Sequence, residues 1–174
     1  MDIYLTNHAN VRNTRFYNAD GQVLYKSETP GSAFSLHKKT TISKIIPNDS
    51  PDDMSDRFAE IATIEWHPVG SRLTYGGTTV TISEFMPIKG ILKHHRVFTA
   101  PGDGRSFKWH LGVHHSTLAL NDDSKTPVVG RHGGNSRLIG QARLARLEIF
   151  PGFEHLVDIF LITYIYVEKK RKDR

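Results

Sequence analysis

Ten histidines in a chain of 174 residues raise the question of metal or acid–base chemistry, and five of them fall close together as His94-His95, His110 and His114-His115. A metal site needs ligands that converge on one point. His110 and His114 would converge at four-residue spacing on a helix, but Phe107 to Leu111 reads as a strand, Gly112 interrupts it, and no His-Glu-x-x-His sequence occurs. Adjacent histidines on a strand project to opposite faces. The expectation is therefore surface or rim histidines, with no metal and no cofactor. The alternative is a small enzyme in which separate strands bring His95, His110 and His132 to one rim site, metal-dependent or not, with Asp158 as its carboxylate.

Other catalytic patterns fall short of their requirements. Arg131-His132-Gly133-Gly134-Asn135 is similar to the glycine-rich oxyanion loop of esterases, but no Gly-x-Ser-x-Gly nucleophile elbow accompanies it. Gly102-Asp103-Gly104-Arg105 lacks the third glycine and the helix of a dinucleotide fingerprint, and no phosphate loop is present. Both read as turns. Asp158 is the one titratable group that the apolar pattern forces inward, so it needs a partner, such as Arg143 or Arg146, or a place near a rim.

The cations are more promising as a binding surface. Arg131, Arg137, Arg143 and Arg146 lie in a stretch without acids, and the chain closes on Lys169-Lys170-Arg171-Lys172-Asp173-Arg174. Of the formal net charge of +5, the segment Glu168 to Arg174 supplies +3, leaving a nearly neutral body. That distribution argues against a nucleic-acid binder, which spreads a basic stripe over a folded face. A basic face shared by the four arginines and Lys169, Lys170, Arg171 and Lys172 would instead suit an anionic lipid surface or a protein partner, since each cation near an anionic bilayer adds about 1 kcal/mol. The competing reading is a solvated tail.

The elements that must position these residues are mostly strands. Thr14 to Tyr17, an Asp20-Gly21 turn and Gln22 to Lys26 read as a hairpin, and Thr40 to Ile46 as a strand ending at Pro47. Pro47 to Asp56 reads as a loop, and Phe58 to Trp66 as a strand with Ala62, Ile64 and Trp66 on one face. Gly76-Gly77 between Arg72 to Tyr75 and Thr78 to Ile82 suits a two-residue hairpin turn that needs positive dihedrals. Val97 to Thr99 and Arg105 to Leu111 form another hairpin, with Phe107, Trp109 and Leu111 inward. Thr117 to Leu120, Pro127 to Arg131 and Ala145 to Ile149 complete the series, while Gln141 to Arg146 also fits a helix.

Ten of the twelve residues from Leu156 to Val167 are apolar, and such a segment must be wrapped on every side. Phe153 to Glu168 reads as a helix after the break at Pro151-Gly152, with a buried strand as the rival because Ile162 to Val167 is β-branched and aromatic. A helix of that length rises about 24 Å, short of the roughly 30 Å of a bilayer core. Asp158 also opposes a lipid setting. No transmembrane span is expected. The absence of cysteine fits a reducing compartment, and Met1 to Asn10 has no secretory pattern, so a cytoplasmic protein is expected, with membrane association through the basic face as an option.

The order of the pieces resembles an uncharacterised domain family of mushroom-forming fungi that looks related to the tubby C-terminal, LURP-one and scramblase group. The residues carrying the resemblance are Val23-Leu24-Tyr25 after the Asp20-Gly21 turn, Thr40-Thr41-Ile42, Ile61 to Trp66, Asp103-Gly104-Arg105-Ser106-Phe107-Lys108-Trp109, Leu147-Glu148-Ile149 and Tyr166-Val167-Glu168-Lys169. It implies a mostly β fold, a single tubby-like domain over residues 1–174. About a dozen antiparallel strands (about 1–150) would close into a barrel around a buried hydrophobic C-terminal helix (about 153–168), followed by a basic tail (169–174). Tubby-like domains bind phosphoinositide headgroups, and scramblase-like ones associate with lipid. The function expected from sequence is a non-enzymatic binding or scaffold domain.

Overall fold

Alternation of apolar and polar residues builds one antiparallel sheet. The computed structural model describes residues 1–31, 38–47, 55–90, 94–132 and 144–173. Its first half is a meander of β1 (Asp2–Leu5), β2 (Thr14–Tyr17), β3 (Val23–Glu28), β4 (Lys38–Ile46), β5 (Arg57–Trp66), β6 (Arg72–Tyr75) and β7 (Thr78–Thr81). A short helix, α1 (Ile82–Phe85), leads to the second meander: β8 (Ile88–Lys89), β9 (His95–Thr99), β10 (Ser106–Leu111), β11 (Ser116–Leu120), β12 (Pro127–His132) and β13 (Ala145–Ile149). A 3-10 turn at Glu154–Leu156 then enters α2 (Val157–Lys172).

The two meanders join through β1 and β13, where Ile3 faces Leu147, so the 13 strands run in the order β7 to β1 and then β13 to β8. The N-terminal ammonium extends that junction by donating to the Ile149 carbonyl at 2.7 Å. Among the described residues no ladder joins the outer strands β7 and β8, which α1 links in sequence. The sheet is therefore open at this seam by hydrogen bonding, in place of the expected continuous closure. Thr81 caps α1, accepting from the Glu84 amide while the Glu84 carboxylate accepts from the Thr81 amide. This reciprocal cap turns the chain out of β7 before a further rung can form, and Ile82, expected in the strand, begins the helix instead.

Inside the sheet lies α2. Every residue from Ile159 to Glu168 is buried, and side chains from β3, β4, β5, β9, β10, β11 and β12 touch the helix. Phe107, Trp109 and Leu111 point inward as the alternation requires. Phe107 meets Phe160 edge to face at 5.1 Å, and the Trp109 indole N–H donates to Thr163 Oγ1 at 3.0 Å. Thr163 in turn donates to the Ile159 carbonyl at 2.8 Å, so both the indole N–H and the hydroxyl are paired in this apolar interior. Gly76 and Gly77, with φ of 57° and 76°, form the expected turn between β6 and β7.

The helix outruns its expected end at Glu168. Residues 169–172, expected as tail, form its last turn and dock on neighbouring loops: Arg171 donates to the Val113 carbonyl at 2.7 Å and Lys172 to that of His8. Four cations at the negative end of the helix dipole favour this continuation. The loop expected at Pro47 to Asp56 lies mostly outside the described residues, as do Gly133-Gly134-Asn135 and the ambiguous start of Gln141 to Arg146.

Candidate anion-binding groove

At the C-terminal end of α2 the open seam meets the helix. Tyr166 leaves the helix toward this seam and stacks on Trp66 of β5, ring centroids 5.6 Å apart and planes within 10°. Arg96 of β9 lies over the Tyr166 ring at 5.0 Å, and Arg12 lies over the Trp66 ring at 5.7 Å. Two guanidinium groups thus bracket a pair of aromatic rings. Trp66 is held in place by its indole N–H, which donates to Thr40 Oγ1 at 2.7 Å.

The Arg96 and Tyr166 side chains form one side of a groove of about 440 Å³ whose other walls are the β5–β6 loop, α1 and β8. One turn beyond Tyr166, Lys170 brings its ammonium to 5.8 Å from the same ring. Ser71 and Ser83 contribute hydroxyls, Ile82 and Ile88 contribute apolar wall, and no carboxylate is among the described residues that line the groove. Arg96 keeps its orientation by donating to the Met86 carbonyl at 3.0 Å. Burial raises the pKa of the Tyr166 phenol although Arg96 opposes the shift, so the ring stays neutral beneath its cations. Chemically the groove offers a forked donor, a point charge and an aromatic floor, which suits an anion with some apolar body.

At the same end of α2, Glu168 is wholly buried. Arg171 grips it with two hydrogen bonds of 2.7 and 2.9 Å, Ser116 donates at 3.2 Å, and Arg131 stands 3.5 Å away. Burial alone would raise its pKa, but the Arg171 hydrogen bonds and the charges of Arg131, Arg171 and Lys172 outweigh that and hold it below the usual glutamate range. Arg131 also donates to the His114 carbonyl at 3.2 Å, while its buried Nε and the buried Tyr164 hydroxyl have no hydrogen-bond partner among the described residues.

On the outer face, His95 and His110 stand directly opposite each other on β9 and β10, with their Nδ1 atoms 3.4 Å apart. Desolvation lowers the His95 pKa, helped by His110, Lys108 and His94, and so favours the neutral ring. Over residues 9–173 the sequence matches a family of unknown function, DUF6593. The chain belongs to the DUF6593 family. No curated protein and no solved structure matches it.

In this DUF6593 chain the expected enzymatic set is dispersed. His95 and His110 meet, but His132 ends β12, two strands from β10, where its Nε2 lies 2.7 Å from Glu148 and holds that carboxyl below its ordinary pKa. Asp158 sits at the other end of α2, accepting from the Tyr25 hydroxyl at 2.5 Å and from the Lys44 ammonium at 2.9 Å. Its partners among the described residues are therefore a lysine and a tyrosine; of the arginines expected, Arg146 pairs with Asp2 and Arg143 lies outside the described residues. Burial, followed by the bond to Asp158, drives the Tyr25 phenol far above its normal pKa.

The expected basic face is divided as well. Arg131 and Arg171 are committed to Glu168, Arg146 donates to Asp2 at 2.9 Å, and Lys169 pairs with Asp173. Lys172 lies 3.9 Å from Glu168, and Lys170 is the member that lines the groove. Arg137 and Arg143 lie outside the described residues. Sequence reasoning missed Arg96 and Glu168, although one signal for Arg96 was present. Arg96 shares strand parity with Phe98, so an inward Phe98 implies an inward cation.

Proposed function

We propose that this domain is a binding module that captures an anionic phosphate-bearing group in the seam groove, between Arg96 and Lys170 over Tyr166. The observation that carries the reading is two cations converging on one aromatic floor. A phosphoinositide headgroup presented by a cytoplasmic membrane surface supplies such a group, and a protein partner bearing phosphate is the alternative source. No helix among the described residues is long and apolar enough to cross a membrane, so lipid contact on this reading is peripheral.

A helix enclosed by a single antiparallel sheet supports kinship with the tubby C-terminal, LURP-one and scramblase group, and with it a fungal origin and a barrel closed in solution. The dispersal of His132 and Asp158 away from His95 and His110 favours binding over the alternative of a rim enzyme.

Co-sedimentation with vesicles of neutral phospholipid alone or with added phosphoinositide tests the proposal, with a soluble inositol phosphate as a separate calorimetric arm. Binding is expected only with the phosphorylated ligand, to fall at least tenfold in Lys170→Glu and to weaken steeply with salt. Equal binding to neutral vesicles, or an unchanged Lys170→Glu, would contradict it. Binding of the soluble headgroup alone would assign the ligand to solution.

A further inference from the structure

The cross-strand pair His95–His110 has the geometry of half a tetrahedral metal centre. The two residues are register partners on β9 and β10, and they share the outer face because Phe107, Trp109 and Leu111 take the inner one. Their Nδ1 atoms are 3.4 Å apart. That separation exceeds the range of about 2.7–3.2 Å in which an N–H donor usually bonds. It equals, within about 0.1 Å, the edge of a tetrahedron whose centre lies about 2.05 Å from each nitrogen, the zinc–imidazole distance. A square-planar centre would need neighbouring nitrogens about 2.9 Å apart.

Ring placement gives a second, independent measure. If both Nδ1 lone pairs met at such a centre, the ring centroids would lie about 5.2 Å apart; they lie 5.0 Å apart, with planes inclined by 37°. A straight hydrogen bond between the same nitrogens would hold the centroids about 5.6 Å apart. The rings are inclined to each other with their Nδ1 atoms adjacent on the outer face. Gly90 supports this arrangement from behind, since a Cβ there would lie 3.3 Å from His95 Cδ2.

We propose that His95 and His110 bind a divalent cation of tetrahedral preference, zinc above all, through Nδ1 of both rings, with solvent filling the two remaining positions. Both rings then carry their proton on Nε2. Among the described residues no cluster of three or more potential ligands exists, so this is a two-ligand, exchangeable site. The neighbouring Lys108 ammonium weakens it further by repulsion.

Untagged protein titrated with zinc chloride by calorimetry, and with cobalt chloride by visible absorption, tests the site. The expected result is saturable binding of one ion per chain, with the intense visible bands of tetrahedral cobalt. His95→Ala and His110→Ala should each weaken binding at least tenfold and abolish the bands, whereas His132→Ala should change neither. Because both rings lie at the surface, each variant should keep the metal-free melting temperature of the parent, and zinc should raise Tm only in the parent and His132→Ala. No saturable binding by the parent, or cobalt bands that persist without His110, would overturn the proposal.

Discussion

Glu168 is, among the described residues, the charged side chain with none of its surface in water, and its environment shows how a buried carboxylate is tolerated. Arg171 satisfies both oxygens, Ser116 adds a third donor, and Arg131 supplies a second positive charge. Removing one partner of such a cluster leaves the others buried and unpaired, a change that usually costs about 3–5 kcal/mol. Glu168→Ala should lose stability in that range by urea unfolding, and Glu168→Gln less, because the amide keeps the Ser116 bond.

The sign of the pH dependence follows from the same contacts. A carboxyl whose folded pKa lies below its unfolded value adds stability that is complete above the unfolded value, near 4.5, and disappears as pH falls through the folded one. Parent protein should lose stability on acidification below about pH 4.5 more steeply than Glu168→Gln. Equal slopes would show that the Glu168 cluster contributes nothing to the acid limb. Asp158 was legible in the sequence because it interrupts an apolar run, whereas Glu168 was not, since it adjoins the lysines and reads as a helix end.

At the scale of elements, period-2 alternation was enough to recover most hairpins, and Phe107, Trp109 and Leu111 face inward as expected because polar neighbours leave them no other face. The all-round apolar run is a helix despite its β-branched and aromatic residues, because enclosure by the sheet outweighs local propensity. Three elements escaped notice, among them the two-residue β8. β1 is a four-residue alternation, Asp2-Ile3-Tyr4-Leu5, too short to stand out without β13 beside it. α1 was present as the Thr81-Ile82-Ser83-Glu84 capping pattern, hidden by the strand-like run before it.

The contact between α2 and β10 yields a direct test of enclosure. Thr163→Val keeps volume but strands the Trp109 indole N–H, 3.0 Å from the lost hydroxyl. An unsatisfied buried donor costs about 1–3 kcal/mol. A loss in that range by urea unfolding is expected, with no change in ligand binding at the groove, which Thr163 does not line. A neutral substitution would place Trp109 in contact with solvent.

For the whole molecule, the strand order makes function a matter of where the sheet ends. Two meanders joined at β1–β13 leave β7 and β8 as the outer strands, and the chain crosses between them through α1. The groove lies at that crossing, with Tyr166 and Lys170 of the central helix reaching into it from inside. No reading of the linear sequence places Arg96 beside Tyr166, because 70 residues separate them and only the wrapping of the sheet brings them together. The basic tail was legible as charge, but its role was not, since Arg171 and Lys172 serve to dock the helix end.

All of these arrangements require that α2 be enclosed. Hydrogen exchange of the intact chain, followed by mass spectrometry or NMR, measures this directly. The backbone amides of Ile159 to Val167 should exchange only through global unfolding, with a denaturant dependence equal to that of the whole protein, while those of β7 and β8 exchange faster. Exchange of the α2 amides at the rate of the edge strands would contradict the enclosed helix and the groove built upon it.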